Sequence, residues 1–329
     1  MQPFAVMEKM TALDTSKKIL FYRDFHGFSG GHLKLRNYFD HINCIPGFRA
    51  QIHFSADSAW GADNPWNDMR DQVLPQWQPE LADCLFLAGL DWLMLDPAQR
   101  DDSPLPIINL IQGLRHADPS DPRYPLLRHP AVRICVSREV EMAISATGQV
   151  NGPIWTIPNG IDLAALPAAP AWEQRGNAIL IVGLKNQQLA RDVAAGLQEL
   201  GAAAELLLEP LPRQDFLERL AQAKVAVLLP LEREGFYLPA LEAMALGCIV
   251  VCPDCVGNRT FCQTGINCHF PDYRADTIAR AALLAHGMDA GARTAMLAAA
   301  AQTAQQHSLE QERASLHQLL MNMPMATSE

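Results

Sequence analysis

The sequence lacks an apolar run close to the roughly 20 residues that a membrane span requires. It also lacks an excess of basic residues, since its 329 residues carry 26 Lys and Arg against 36 Asp and Glu, a net charge of −10. These absences argue against a spanning helix, a broad nucleic-acid footprint and charge-driven binding to anionic membranes. With 49% hydrophobic and only 19% charged residues, the chain is predicted to be globular and long enough for two α/β domains.

Several sequence motifs are missing as well. There is no G-x-S-x-G elbow, no G-x4-G-K-[ST] loop and no G-x-G-x-x-G after the first predicted strand. These absences argue against a serine-hydrolase elbow, a P-loop and a dinucleotide fingerprint. Residues 1–16 have no continuous apolar core, so we predict a partly disordered leader rather than a signal peptide.

The eight cysteines are predicted to be reduced thiols, because no signal peptide is expected. Cys252 and Cys255 have the C-x2-C spacing of a zinc site, and Cys262 and Cys268 could complete four ligands. The alternative is that these cysteines are ordinary small apolar residues in and near a buried strand. We expect no metal site, but the sequence leaves the zinc alternative open.

Short apolar runs alternate with helical patterns in both halves, as in a doubly wound parallel sheet. The predicted strands are residues 18–22, 50–54, 84–87, 107–111, 132–136, 154–157, 178–182, 204–208, 225–229 and 249–251. An Ala/Pro-rich segment separates the two halves and is the predicted linker. The predicted boundaries are a leader 1–16, a first domain 17–162, a linker 163–176, a second domain 177–307 and a C-terminal helix 308–329.

Two glutamates eight residues apart form the most informative feature. Glu234 lies in a predicted loop after one strand, and Glu242 lies one turn into the helix predicted to start near Leu238. The carboxyl ends of parallel strands and the adjoining helix N-termini form the usual ligand crevice of such a sheet. A carboxylate cannot hold phosphate there, but it accepts hydrogen bonds from sugar hydroxyls. Two such acceptors around an anion site favour a nucleotide-sugar.

The segment from Glu234 to Gly247 has the pattern E-G-F-x5-E-A-x-A-x-G, and residues 157–162 have the pattern I-P-N-G-x-D. In order and separation, this pair of motifs resembles the family 4 retaining glycosyltransferases of the GT-B fold. The resemblance implies two Rossmann-like domains facing each other across a cleft, with the acceptor on the first domain and the donor on the second.

The resemblance also implies roles for residues at the donor site. Glu242 would bind the ribose, and Glu234 with the amides of Gly235 and Phe236 would bind the donor sugar. Asn159, in the I-P-N-G segment, is a further candidate for donor binding.

The pair Gly30 and Gly31 follows the first strand and opens a helix, so a ligand could approach the backbone there. A plain tight turn is the alternative. The family has a similar glycine pair facing the donor phosphates and the acceptor. His32, His26 and Asp24, beside this loop, are the candidates for acceptor binding.

His116 follows the strand at 107–111, at the predicted cleft end, and the family has a histidine beside the transferred sugar. A solvated loop histidine is the alternative.

A fixed cation should stabilise the diphosphate leaving group. The family has Arg directly after the glycine of the first strand of the second domain, but Leu184 occupies that position here. Lys185 is the candidate replacement, and Arg259 is the second one. The chain contains no D-x-D triplet, so we predict a site that uses cations and amides without a metal or another cofactor.

We therefore predict a retaining, metal-independent glycosyltransferase with catalytic candidates Glu234, His116 and Lys185. The expected partners are a UDP- or GDP-type sugar donor and a hydroxyl acceptor, such as a glycan or a lipid-linked glycan, and no nucleic acid. We expect a cytoplasmic location, with association at the inner membrane face left open. The alternatives are a noncatalytic GT-B protein of polysaccharide biosynthesis and, more remotely, a sugar-nucleotide epimerase or a sucrose-phosphate-type enzyme.

Overall fold

The first sheet contains six strands, counted within residues 15–324, which a computed structural model describes. All strand pairs are parallel, in the order β2-β1-β3-β4-β5-β6. The strands are β1 Lys17–Arg23, β2 Phe48–Phe54, β3 Cys84–Ala88, β4 Ile107–Ile111, β5 Val132–Cys135 and β6 Ile154–Thr156. Both central strands β3 and β4 are buried along their whole length, because a parallel sheet is covered on both faces.

The second sheet is smaller and is also parallel throughout, in the order β10-β9-β7-β8. Its strands are β7 Asn177–Val182, β8 Glu205–Leu207, β9 Ala223–Leu228 and β10 Ile249–Val251. We call the first sheet with its helices the N-terminal lobe and the second sheet with its helices the C-terminal lobe.

The helices connect the strands and cover the sheets. They are α1 Gly30–Asn43, α2 Pro97–Asp101, α3 Arg138–Ser145, α4 Gln187–Glu199, α5 Arg213–Gln222, α6 Leu238–Ala245, α7 Ala275–His286, α8 Ala290–Gln306 and α9 Leu309–Asn322. Short 3-10 helices lie at Asn67–Gln72, Pro79–Leu81, Asp91–Met94, Leu114–Ala117, Tyr124–Arg128, Trp172–Gln174 and Val256–Asn258. Side-chain oxygens of Ser29, Ser137 and Ser308 cap α1, α3 and α9, so the chain has local start signals at these points.

The α/β class predicted from the sequence is confirmed, and so are the predicted strands, to within one or two residues at each end. Helix α6 begins at Leu238, as predicted from the motif. The domain boundaries stay predictions. The predicted leader lies outside the described residues except for its last two, and the final five residues of the predicted C-terminal segment also lie outside them.

Each sheet contains one point where the strand order reverses. In the N-terminal lobe it lies between β1 and β3, and in the C-terminal lobe between β7 and β9. Ligands of open α/β sheets bind at the carboxyl ends of the strands at such points. The residues that follow these four strands are therefore the first candidates for ligand contacts.

The chain passes between the lobes twice, and the two passages are hydrogen-bonded to each other. Ile161 N donates to the His307 carbonyl at 2.9 Å, and Leu309 N donates to the Ile161 carbonyl at 3.1 Å. Beyond this point α9 packs on α1, where the buried Glu312 accepts from Lys34 at 2.6 Å and lies 3.0 Å from His41 Nε2. The C-terminal helix thus joins the N-terminal lobe.

Candidate functional site

A cavity of about 650 Å³ lies where the two lobes face each other. The N-terminal lobe contributes the residues after β1, β3 and β4, and the C-terminal lobe contributes the loop before α6. The lining residues are Arg23, Ser29, Gly31, His32, Ala88, Gly89, Leu110, Gln112, Gly113, Leu114, Arg115, His116, Asp118, Asp121, Arg123, Leu231, Arg233, Glu234 and Gly235. Five of the residues predicted from the sequence, Gly31, His32, His116, Glu234 and Gly235, therefore share one cavity.

Gly235 lies at a close approach of the backbones of the two lobes. A methyl group at this position would lie 2.7 Å from Gly113 Cα and would overlap the Gln112 carbonyl oxygen. The Ser137 hydroxyl donates to the Gly235 carbonyl at 3.0 Å across the lobes. Only glycine leaves room for this contact, so the motif glycine is required by close approach of the two backbones.

Lys185 and Glu234 form an ion pair of 2.5 Å between the segments that follow β7 and β9. The same carboxylate oxygen accepts from Leu231 N at 3.3 Å. The ammonium group also lies 5.6 Å from the centre of the Tyr237 ring, within the range of a cation–π contact. The pair marks the point of strand reversal in the C-terminal lobe. It brings a cation and a hydrogen-bond acceptor to the edge of the cavity.

Glu242 is completely buried in α6, and both of its oxygens accept from the guanidinium of Arg213. The Arg213 side chain remains 40% exposed. Glu242 does not line the cavity, and its carboxylate contacts the arginine at the start of α5. A ligand that used Glu242 would have to share it with Arg213 or displace the guanidinium.

His116 lines the cavity but is only 6% exposed. Its Nδ1 lies 3.2 Å from the Gly113 carbonyl oxygen. Because a carbonyl only accepts, we assign the ring proton to Nδ1, which leaves Nε2 as an acceptor. Nε2 is buried and has no partner in the described part of the chain. Burial lowers the pKa of His116 to about 4, so the ring is neutral at pH 7 and its free nitrogen can accept a hydroxyl proton.

The glycine pair begins α1. Gly30 is the first helical residue, and the Gly31 carbonyl accepts from Gln112 Nε2 at 3.2 Å. The His32 ring packs edge-on at 4.8 Å from the Phe25 ring, and its buried Nδ1 has no partner within residues 15–324. Burial, helped by the nearby Arg23 charge, lowers the pKa of His32 to about 4. The start of α1 therefore presents backbone and neutral imidazole to the cavity.

The other predicted residues lie outside the cavity lining. His26 and Asp24 are exposed and 3.1 Å apart, and Arg259 forms two bonds of 2.7 Å with Asp254. Asn159 is buried near the passage between the lobes, and its side-chain oxygen has no partner among the described residues. Phe236 is buried, and the centre of its ring lies 5.2 Å from the centre of the Phe261 ring. This packing holds the loop before α6 in place.

Residues 144–286 match the family model described as Glycosyl transferases group 1. This region contains β7 to β10, the ion pair Lys185–Glu234 and the buried Glu242. The chain carries a group 1 glycosyltransferase domain. The residues of the N-terminal lobe that line the cavity lie outside the matched region.

Solved structures show a likeness in fold over more than nine-tenths of the chain. Anabaena Alr3699/HepE, crystallised in complex with UDP-glucose, is 16% identical at a TM-score of 0.72, over 93% of this chain and 100% of that one. The lipopolysaccharide outer core galactosyltransferase WaaB is 16% identical at a TM-score of 0.68, over 92% of this chain and 99% of that one. Sucrose-phosphate synthase (tll1590) from Thermosynechococcus elongatus is 12% identical at a TM-score of 0.66, over 93% of this chain and 98% of that one. The predicted GT-B fold is confirmed. A comparison with curated protein sequences gives no match.

Sequence reasoning missed four arginines that line the cavity: Arg23, Arg115, Arg123 and Arg233. Three of them adjoin a recognisable feature, since Arg23 ends β1, Arg115 precedes His116 and Arg233 precedes Glu234. Arg123 lies in an irregular connection, and no local pattern predicts its position.

No group of three or more His, Cys, Asp or Glu side chains within the described residues could hold a metal ion. The cysteines are unpaired, and those from Cys248 to Cys268 are buried. Cys248 donates to the Leu220 carbonyl at 3.1 Å, and burial raises its thiol pKa to about 11. Within the described residues, no helix combines the length and the apolar composition that crossing a membrane requires.

Proposed function

We propose that the protein transfers a sugar from a nucleotide-diphosphate sugar to a hydroxyl acceptor in the cavity between the lobes, with retention at the anomeric carbon and without a metal. The observation that carries the proposal is the Lys185–Glu234 pair at the strand reversal of the glycosyltransferase domain, beside the cavity. The ammonium group of Lys185 suits a diphosphate, and the carboxylate of Glu234 suits a sugar hydroxyl.

Donor binding would exchange the partners of this pair. Lys185 would turn to the diphosphate and stabilise the charge that grows on it as the glycosidic bond breaks. Glu234, released from the ammonium group, would accept from a hydroxyl of the donor sugar, and the amides of Gly235 and Phe236 would donate to the same sugar. Glu242 would accept from the ribose, with Arg213 moving aside or sharing the carboxylate.

His116 would hold a sugar hydroxyl through its free Nε2. In the retaining reaction the bond from C1 to the leaving phosphate breaks, and the bond from C1 to the acceptor oxygen forms on the same face. The acceptor proton passes to the leaving phosphate oxygen, so no side chain of the protein has to act as a nucleophile.

A uridine nucleotide is the first choice of donor, because HepE was solved with UDP-glucose and with UDP. GDP-sugars are the second choice. A glycan or lipid-linked glycan is the proposed acceptor, and a cytoplasmic location at the inner membrane face would suit such an acceptor.

The proposal is tested in two steps. A thermal-shift series with UDP, GDP, ADP, CMP and dTDP identifies the nucleotide. A ligand whose concentration is about a hundred times its Kd stabilises the fold by about 2.7 kcal/mol. Turnover of the matching nucleotide-sugar is then measured for Lys185→Ala. Because Lys185 opposes charge that develops in the transition state, kcat should fall on the order of 10²–10³-fold with a smaller change in KM.

Arg259→Ala is the matched control, because Arg259 is paired with Asp254 outside the cavity. An inactive Arg259→Ala beside a normal Lys185→Ala would move the leaving-group cation to the loop after α6. Activity should also survive excess EDTA. A loss that Mg²⁺ or Mn²⁺ restores would contradict the metal-independent mechanism.

A noncatalytic GT-B protein is the second candidate, and one observation favours it. Leu184 occupies the position of the usual arginine, and Lys185, Arg259 and Glu242 are all paired within the protein. Nucleotide binding without turnover of any nucleotide-sugar would support this candidate.

A further inference from the structure

The cavity is rich in arginine although the chain as a whole is acidic. Four arginines line it, and the full sequence contains only 26 Lys and Arg in a chain of net charge −10. Three of the four, Arg23, Arg115 and Arg123, belong to the N-terminal lobe, opposite the glycosyltransferase domain. The concentration of positive charge therefore lies on the side where the acceptor is proposed to bind.

Two of these arginines flank the strand reversal of the N-terminal lobe. Arg23 ends β1, and Gly89 follows β3 with φ of +59°. A methyl group at Gly89 would lie 3.9 Å from Arg123 Nε, so Arg123 stands beside the end of β3. The crevice between β1 and β3 is the ligand position expected for this lobe's own sheet. A cation thus stands on each side of it.

The acidic side chains nearby do not compensate all of this charge. Asp91 pairs with Arg23 at 2.9 Å, and both oxygens of Asp121 bind Arg123 Nη1. Glu234 is paired with Lys185.

Arg233 and Asp118 are 3.8 Å apart, which is a loose contact. Arg115 is exposed on the cavity wall, and its guanidinium has no ion pair or hydrogen bond to any part of the chain that the structure describes. The unpaired charge of Arg115 and the weakly paired charge of Arg233 therefore face the cavity.

An unpartnered buried atom adjoins this charge. His116, the residue after Arg115, exposes only 6% of its surface and lines the cavity with its acceptor Nε2 unsatisfied. A ligand that satisfies it must donate a hydrogen bond, and a sugar hydroxyl can do so. The site therefore combines a place for a hydroxyl with a place for an anion, which is the chemistry of a sugar or polyol that carries an acidic group.

On the basis of the proposed function, we propose that the acceptor is anionic, with a phosphate or carboxylate group bound by Arg115 and Arg123. Asp121 occupies only Nη1 of Arg123, so Nε and Nη2 of this guanidinium have no partner among the described residues and can donate to the anion. Guanidinium groups suit both oxyanions, because they bind them through two parallel hydrogen bonds. A neutral glycan could accept hydrogen bonds from these guanidinium groups, but it would leave the charge of Arg115 without a counter-ion.

The experiment measures sugar binding by calorimetry in the presence of saturating UDP, with glucose 6-phosphate, glucuronate and glucose as probes. The two charged sugars test phosphate against carboxylate, and glucose is the neutral match. We expect at least one charged sugar to bind at least tenfold more tightly than glucose. Arg115→Ala and Arg123→Gln should each weaken that binding about tenfold to a hundredfold, as for a lost charged hydrogen bond.

Arg280→Ala is the control, because Arg280 is exposed on α7 and is not part of the cavity lining. It should bind the charged sugar as the wild type does. Equal affinities for the three sugars, no binding of any of them, or unchanged binding by Arg115→Ala and Arg123→Gln would each overturn the proposal.

Competition between the charged sugar and UDP would also overturn it, because the arginines would then hold the donor diphosphate. UDP binding and UDP-glucose turnover by the wild type are measured first. If both are absent, the proposed function fails, whereas if both are present and the charged sugars are not preferred, only the anionic acceptor is disproved.

Discussion

His116 shows how burial can set the chemistry of a single residue. Its ring is enclosed by the turn after β4, and the Gly113 carbonyl fixes the proton on Nδ1. A charged imidazole in that place would lose most of its hydration, so the pKa falls to about 4. The ring is therefore neutral over the whole physiological range of pH, and its Nε2 is able to accept a hydrogen bond.

This burial links stability to pH. Below an unfolded pKa near 6.5 the unfolded chain takes up a proton at His116, whereas the folded protein does not until about pH 4. The unfolded state then binds more protons, so the free energy of unfolding falls as pH falls from 6.5 towards 4. Between pH 7 and pH 5, His116 should account for roughly 2 kcal/mol of the loss, at about 1.4 kcal/mol per pH unit.

Urea unfolding of the wild type and of His116→Gln at pH 7 and pH 5 measures this contribution. The loss on acidification should be smaller in the variant. His26→Gln, at an exposed histidine, is the matched control. If His116→Gln loses as much stability as the wild type between the two pH values, the buried ring is not the source of the pH dependence.

At the scale of elements, the loop between β9 and α6 in the C-terminal lobe packs against the N-terminal lobe. Its backbone meets the turn after β4 at Gly235, and Tyr237 N donates to the Gly257 carbonyl at 3.1 Å. The loop is therefore clamped on both sides. Its glycine and aromatic residues are needed for packing as well as for any contact with a ligand.

Gly235→Ala should force the loop away from Gln112, because the new methyl group would overlap the carbonyl oxygen. We expect kcat/KM to fall at least tenfold, since a displacement of about 1 Å at a reacting centre can cost a hundredfold. A change in the melting temperature should accompany it. Both quantities are measured on the purified variant.

Gly176→Ala is the control, because no atom beyond the two adjacent residues lies within 4 Å of the position its methyl group would take, and its φ is not in the left-handed region. It should behave as the wild type does. Full activity of Gly235→Ala would mean that the two lobes need not approach as closely as the structure has them.

At the scale of the whole molecule, a buried ionic cluster joins helix α9 to helix α1. Glu312 of α9 is 2% exposed and contacts Lys34 and His41 of α1, and Lys34 also donates to the Gly160 carbonyl at 2.9 Å. The cluster therefore ties together both passages between the lobes and the last helix.

Glu312→Gln should remove the carboxylate that compensates Lys34. Breaking a buried pair from one side costs about 3–5 kcal/mol, because the remaining charge is left without a partner. Urea unfolding should show a lower midpoint for this variant. Glu310→Gln changes an exposed residue of the same helix and should cost at most about 1 kcal/mol. Equal midpoints for Glu312→Gln and the wild type would show that the cluster does not stabilise the fold.

Local sequence determined the elements and their order. Residues 107–111 are apolar throughout, and such a run between turns can be buried on both faces as a central strand, which is what β4 is. Leu238 and Pro239 start α6 where the motif predicted it, because proline is well suited to the first turn of a helix. The spacing of Glu234 and Glu242 and the I-P-N-G segment pointed to the GT-B fold, which the structure has.

The meeting of distant charges was decided only by the tertiary structure. Glu234 pairs with Lys185, 49 residues away, while Glu242 pairs with Arg213 and Arg259 with Asp254. Periodicity and capping are set by neighbours along the chain, whereas an ion pair needs two side chains within about 4 Å. That distance depends on how the sheets and lobes pack, so the sequence predicted a cleft and its motif residues, and packing decided which charges are free to meet a ligand.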